Sequence, residues 1–417
     1  MKTDFILPML LSAVALAQPA GMFTATGNMI TPRFGHMATL LPNGKVLIAG
    51  GNTVCFVPGP CLGTNMAELY DPGTSSFAPT GSMSPADSHI GGILLADGRV
   101  FFASFSNDCV SRSLAAIELY DPSIGSFNTV GTAAAITSVT TATLLSDGRV
   151  LLTGYGATCS AYGTEIYDPI AGTSTPVANS LPDEPSAAIA LADGRVLLQF
   201  YENDAQIYDP AGGSFTSTGG LGHFDQPPQA SILLNGFALF SGGNLDPSGS
   251  TSRVELYSPP LNVFATTNMS IARVGHTSTL LPDGTVLIAG GSPFTYILAS
   301  PTATAEIYDP AAAGFSATAG MNTARSLHTA TLLNSGQVLV TGGSAFGSLS
   351  SVSATASAEL YTPAVLIPAP TLFSLSGDGT GQGAIWNGLT GQIASPDNPA
   401  IAGDVLSMYT TTCSRAA

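Results

Sequence analysis

Apolar runs come in pairs along this chain, each pair split by a short polar turn. In "TATLLSDGRVLLTG" (141–154) two such runs flank Asp147-Gly148. The same arrangement recurs at Asn43-Gly44, Asp97-Gly98, Asp193-Gly194, Asn235-Gly236, Asp283-Gly284 and Ser335-Gly336. Asp-Gly and Asn-Gly accept positive φ at little cost, which predicts type I′ hairpins whose twist matches paired strands. The flanking runs are apolar on both faces, as suits strands covered on each side by neighbouring sheets. A third apolar segment ends in Tyr, usually inside Glu-[Leu/Ile]-Tyr-Asp-Pro: Tyr70, Tyr120, Tyr167, Tyr208, Tyr257, Tyr308 and Tyr361. A fourth follows, as in "SSFAPTGSM" (75–83), with Phe seven residues after the Tyr; the same Phe recurs as Phe127, Phe215, Phe264 and Phe315.

Seven turns and seven Tyr landmarks give seven units of four strands, each roughly 41 to 54 residues long. That is the repeat length of a propeller blade. The first unit has no preceding Tyr, but "GMFTATGNM" (21–29) matches the fourth-strand pattern through Phe23, and no such strand follows Tyr361. The expected fold is therefore all-β: a seven-bladed β-propeller over residues 18–363, its last blade completed by the N-terminal strand. Such closure removes open sheet edges.

The motif Arg-x-Gly-His, the Gly-Gly after the second strand, Glu-Leu-Tyr-Asp-Pro and the aromatic seven residues on together resemble kelch repeats. The resemblance spans about residues 21–363 and extends to the galactose-oxidase-type central propeller. Phe stands where kelch units usually carry Trp, and blades two to four lack the Gly-Gly, with Ser104, Gly154-Tyr155 and Phe200 near its place. Residues 364–417, which hold the only Trp, Trp386, break the pattern. They resemble the opening of a β-sandwich module attached to exported bacterial propellers, truncated at about half its usual length.

Composition adds limits. Only 9% of residues are charged, and the net charge is −16 with 27 acidic and 11 basic residues. This excludes a basic footprint for nucleic acid and a polybasic membrane patch. Residues 1–17, with an apolar run from Ile6 ending Ala15-Leu16-Ala17, resemble a secretory signal peptide, which predicts a secreted or periplasmic protein. That run is too short to span a bilayer, and no membrane span is expected elsewhere. Five cysteines suit an exported chain: Cys55 and Cys61 are close enough to close a local disulfide loop, Cys109 and Cys159 hold the same repeat position, and Cys413 lies in the tail.

Counted from turn glycine to Tyr, the units run 26, 22, 19, 14, 21, 24 and 25 residues, whereas Tyr to the next turn glycine is always 27 or 28. Length variation therefore falls in the loop between strands two and three, where indels escape packing and function collects. That loop shares a face with the link into each first strand. The link holds Arg33 and His36, Arg273 and His276, and Arg325 and His328, in blades one, six and seven, which are adjacent in the ring and have the longest loops. These six residues mark the expected binding sector. The competing expectation is structural: Arg and His tie blades together, with Glu68, Glu118, Glu165, Glu255, Glu306 and Glu359 as buried partners.

HExxH, CxxC, GxSxG and P-loop motifs are absent, so zinc protease, redox, serine hydrolase and nucleotide chemistry lose their usual support. A galactose-oxidase-like copper-radical oxidase is the alternative that the resemblance implies. That family's copper site uses two Tyr and two His, with one Tyr directly before a His, and no Tyr-His pair exists here. The favoured expectation is a monomeric, non-catalytic scaffold without cofactor, presenting its loop-rich face to a glycan or protein partner; a structural cell-surface module is the third reading. Fold alone does not choose among them.

Overall fold

The structure is a computed structural model. It describes residues 21–364 except 57–58, 85–88, 106–112, 157–160, 178–180, 202–203, 221–227, 247–248, 294–299 and 349–350, together with 385–387, 393–394 and 406–407 of the tail. The signal-peptide expectation for residues 1–17, Cys109, Cys159, Cys413 and most of the tail fall outside the described residues.

Seven four-stranded antiparallel sheets follow one another along the chain. Blade one is built from Met37–Leu40, Val46–Ala49, Ala67–Asp71 and Ser76–Pro79. Blade four is built from Pro185–Ala190, Val196–Phe200, Asp204–Asp209 and Ser214–Gly220. Each blade's first strand lies against the first strand of the next, and that of blade seven meets that of blade one, so the ring is closed. Blade seven takes its outer strand from the other end of the chain: Met22 pairs with Thr362 and Phe23 with Tyr361. The Phe23 and Tyr361 rings lie 4.8 Å apart, matching Tyr70–Phe77 at 4.9 Å inside blade one. The closing strand thus reproduces the packing of an ordinary fourth strand.

The two-sided apolar runs are explained by where the core sits. Each major hydrophobic cluster joins two neighbouring blades. One gathers Val46, Ile48 and Tyr70 of blade one with Leu333, Leu339 and Ala358 of blade seven. Another gathers Leu145 and Leu151 of blade three with Val196, Leu198 and Tyr208 of blade four. At about 25 cal/mol per Å² of apolar area removed from water, this packing is the main stabilising term of the ring.

The turns differ from the type I′ expectation. Only the glycine has positive φ (Gly44 81°, Gly98 86°), while Asn43 and Asp97 do not. Gly44 N–H donates to the Leu41 carbonyl, and Leu41 N–H donates to the Lys45 carbonyl. This is the three-residue hairpin, a type I turn followed by a bulged left-handed glycine. Pro42 is accepted because a type I turn favours proline at its second position. The Asn43 and Asp97 side chains accept the N–H two residues on, at 3.0 Å, which is their contribution here.

Candidate binding face

The links into the first strands and the variable loops leave the ring on one face, around the axis. In blades seven and one the long loops pair with each other. Ser344–Ser348, Ser351–Ala354, Asn52–Phe56 and Cys61–Gly63 form an eighth four-stranded sheet bridging the two blades. Val352 lies opposite Cys55, and Cys55 is both paired with and disulfide-bonded to Cys61. Phe34, Cys55 and Val352 form its small core, while Phe56 and Leu62 are exposed.

The three arginines of the expected binding sector are enclosed by protein, each 0% exposed. Arg33 Nη2 meets Glu68 Oε1 at 2.9 Å, and its Nη1 donates to the carbonyls of Gly50 and Met66 at 2.8 and 2.7 Å. Arg273 pairs with Glu306 at 2.8 Å and Arg325 with Glu359 at 2.6 Å, each again donating to the first-glycine carbonyl of its blade. Burial pulls their pKa values down while the glutamates push them back up. Of the two roles open to these arginines, the geometry gives the scaffold one: their forks hold loop carbonyls, leaving no side chain facing a ligand.

The histidines tie each blade to the one before it. His36 Nε2 meets Thr341 and Thr329 hydroxyls of blade seven at 3.1 and 3.0 Å. His276 reaches Ser241 of blade five at 2.9 Å, and His328 reaches Thr277 of blade six at 3.1 Å. Desolvation by burial pushes His36 and His276 down to about 3, and His328 is held well below its ordinary value by the same cause. All three imidazoles are neutral at pH 7.

This contact explains the Gly-Gly. A Cβ on Gly342 would meet Arg33 O at 2.4 Å and His36 Cε1 at 2.8 Å; on Gly242 it would meet His276 Cε1 at 2.7 Å, and on Gly290 His328 Cε1 at 2.7 Å. The first glycine of blades five, six and seven makes room for the histidine of the following blade.

A depression of about 340 Å³ opens at the axis, lined by Gly35, His36, Met37, Ile90, Gln229, Gly275, His276, Leu327 and His328, among others. Leu327 is its distinguishing residue. It occupies the position held by Gly35 (φ 61°) and Gly275 (φ 64°) in the sister links, yet adopts φ 55° as a leucine. Its carbonyl accepts from Gly35 N–H at 2.8 Å and its N–H donates to Gly275 O at 2.7 Å, and its side chain remains 47% exposed. In the sequence this shows only as a departure from Arg-x-Gly-His in blade seven.

Blades two to four depart from this scheme. Seven residues past the turn glycine, where blades one, five, six and seven have the second glycine, stand Phe105, Tyr155 and Tyr201. Eleven residues before the turn glycine, at the place of Arg33, blade four has Asp183. Tyr155 Oη donates a short hydrogen bond to Glu184 of blade four's link. Glu165, the blade-three counterpart of Glu68, accepts backbone N–H from Ala134, Ala135 and Ile136 in place of an arginine.

No known protein-family profile matches the chain, and no curated protein matches it in sequence. Among solved structures it is similar to a fungal alcohol oxidase of the AA5 family determined in complex with copper, with a TM-score of 0.65 and 17% identity over 88% of this chain and 80% of that one. The ring is thus a galactose-oxidase-type propeller in fold. A copper centre is a separate question of donors. Among the described residues no three His, Cys, Asp or Glu side chains stand close enough to hold a metal ion, and the three histidines turn Nε2 to hydroxyls of different blades. The described histidines thus do not by themselves gather into a copper site.

Proposed function

We propose that this chain is a binding scaffold whose axial depression takes an uncharged segment of a glycan or protein, in a secreted or periplasmic setting. Leu327 carries the reading. A non-glycine residue in the left-handed region costs roughly 1–2 kcal/mol, and two sister links show that glycine serves the backbone geometry there. A leucine kept at that cost and half-exposed beside the depression is what a ligand contact requires. The floor offers neutral imidazoles, Met37, Ile90 and the Gln229 amide, without a carboxylate among its lining residues, a composition for binding and not for general acid–base work.

The test is Leu327→Gly assayed on a glycan array and by thermal unfolding. The expected outcome is a fold stabilised by about 1 kcal/mol with array binding weakened about tenfold or more. Binding that is unchanged while stability rises would remove the argument.

The likeness to the AA5 alcohol oxidase favours a second reading at the level of fold, an oxidase on the same ring. Its measurement is copper loading followed by assay of hydrogen peroxide release from a primary alcohol; turnover would displace the scaffold reading.

A further inference from the structure

Of twelve tyrosines, seven are the repeated landmark of strand three. Of the other five, Tyr155 and Tyr162 pair on the loop face of blade three, and Tyr201 of blade four is close enough to Tyr155 to act on it electrostatically. Tyr155 ends the second strand of blade three and Tyr162 begins its third; they are a cross-strand pair with ring centroids 5.2 Å apart and planes inclined at 51°. The two rings therefore make an open corner instead of a stack. Tyr155 Oη is fixed by its hydrogen bond to Glu184, and Tyr201 N–H donates to the Glu184 carbonyl at 3.2 Å. All three tyrosines and Glu184 are half-buried, so the ring faces remain within reach of solvent.

The charge of this patch is the reverse of the equivalent place in blades six, seven and one. There each carboxylate is buried beneath an arginine. Here Glu184 stands in the link itself next to Asp183, and among the described residues no Lys or Arg forms an ion pair with Glu184. The local potential is negative: burial first, then the Glu184 and Asp183 charges, push the Tyr201 hydroxyl up to about 12. A tilted pair of electron-rich rings beside a carboxylate, partly screened from water, is complementary to a large, weakly hydrated cation. A chain of net charge −16 also draws cations toward it.

We propose that Tyr155, Tyr162, Tyr201 and Glu184 form a second binding site, separate from the axial depression, for an alkylated ammonium group. The rings contact the alkyl shell of the cation and Glu184 balances its charge. Tyr155 both lines the corner and holds the carboxylate in place, so the site is assembled by the same contact that joins blades three and four.

The experiment uses choline as the probe and 3,3-dimethylbutan-1-ol as its neutral counterpart of the same shape, titrated calorimetrically into the intact protein. Choline is expected to bind saturably and less tightly as salt increases, with the neutral alcohol weaker by about tenfold or more. Tyr201→Ala and Tyr162→Ala are each expected to weaken choline by about tenfold, and Glu184→Gln at least as much. Leu327→Gly, which alters only the axial site, is expected to leave choline binding unchanged. Should Glu184→Gln fail to fold, the two tyrosine variants, checked by thermal unfolding, still decide. Absence of saturable choline binding, equal binding of the neutral alcohol, or retention of affinity in both tyrosine variants would overturn the assignment.

Discussion

Blades five, six, seven and one and blades two, three and four use one backbone plan and two ways of joining neighbours. In the first group a glycine of blades five, six and seven makes room for a histidine of blades six, seven and one, which crosses to a hydroxyl of the preceding blade, and in those last three blades an arginine buried on a glutamate closes the link. In the second group the glycine pair is lost and aromatic side chains fill its second place. Blade three satisfies Glu165 with backbone amides, and Tyr155 crosses to Glu184. A propeller needs inter-blade packing and satisfied polar groups, and either solution supplies both. The first is closed to solvent. The second leaves aromatic and acidic groups within reach of it, which is why the irregular blades are the more promising place for an unassigned ligand.

The largest expected effect comes from removing residues 18–30. This deletes the closing strand from blade seven, inside the regular group, and exposes the edge of Ala358–Thr362. The melting temperature should fall by more than about 10 °C, consistent with the loss of several kcal/mol; an unchanged value would refute the closure. Next is Arg325→Ala, which leaves Glu359 buried without its ion-pair partner and should cost about 3–5 kcal/mol. Asp183→Ala at the matching place in blade four should cost under about 1 kcal/mol. Equal costs in denaturant unfolding would dissolve the contrast between the groups.

Gly342→Ala should cost about 2 kcal/mol or more, because its Cβ would strike Arg33 O and His36 Cε1 at positive φ. Acid gives a graded version of the same contrast. His36 and His276 titrate in the fold only near 3, whereas an unfolded histidine takes up its proton near 6.5. Below that value the unfolded chain binds more protons, so the histidine contribution is complete above about pH 6.5 and is lost progressively as the pH falls toward about 3. Hydrogen exchange measured at pH 4 and pH 7 should show protection falling first in blades six, seven and one. Uniform loss around the ring would contradict that assignment. Leu327→Gly, in the opposite direction, should gain about 1 kcal/mol.

The blade count, the strand order and the N-terminal closure were legible because they repeat. A Tyr and a Phe seven residues apart announce a cross-strand pair five times, and Phe23 at the far end of the chain supplies a sixth. The buried Glu partners of the arginines could also be read, since both recur in register. The turn type was misjudged because Asn-Gly and Asp-Gly suit two hairpins, and only in two blades does a proline in the preceding place, Pro42 or Pro282, favour the longer one. The sheet joining the loops of blades seven and one had no local signal: Cys55 and Val352 lie 297 residues apart and meet only after the ring closes. The Tyr155–Glu184 contact was equally hidden, because irregular blades have no register to compare. Leu327 stood in plain view as a broken Arg-x-Gly-His motif, and its meaning needed the backbone angle.

The strand Met22–Ala25 also sets a clock. It is among the first parts of the fold to leave the ribosome, and its partner Ala358–Thr362 follows about 340 residues later. At roughly 5–20 residues per second, synthesis alone separates the two by about 20 to 70 seconds. For that interval the growing chain holds completed blades but no circle, with bonding groups bare at both rims. Whatever covers those rims in that interval governs how much of this protein reaches its final form.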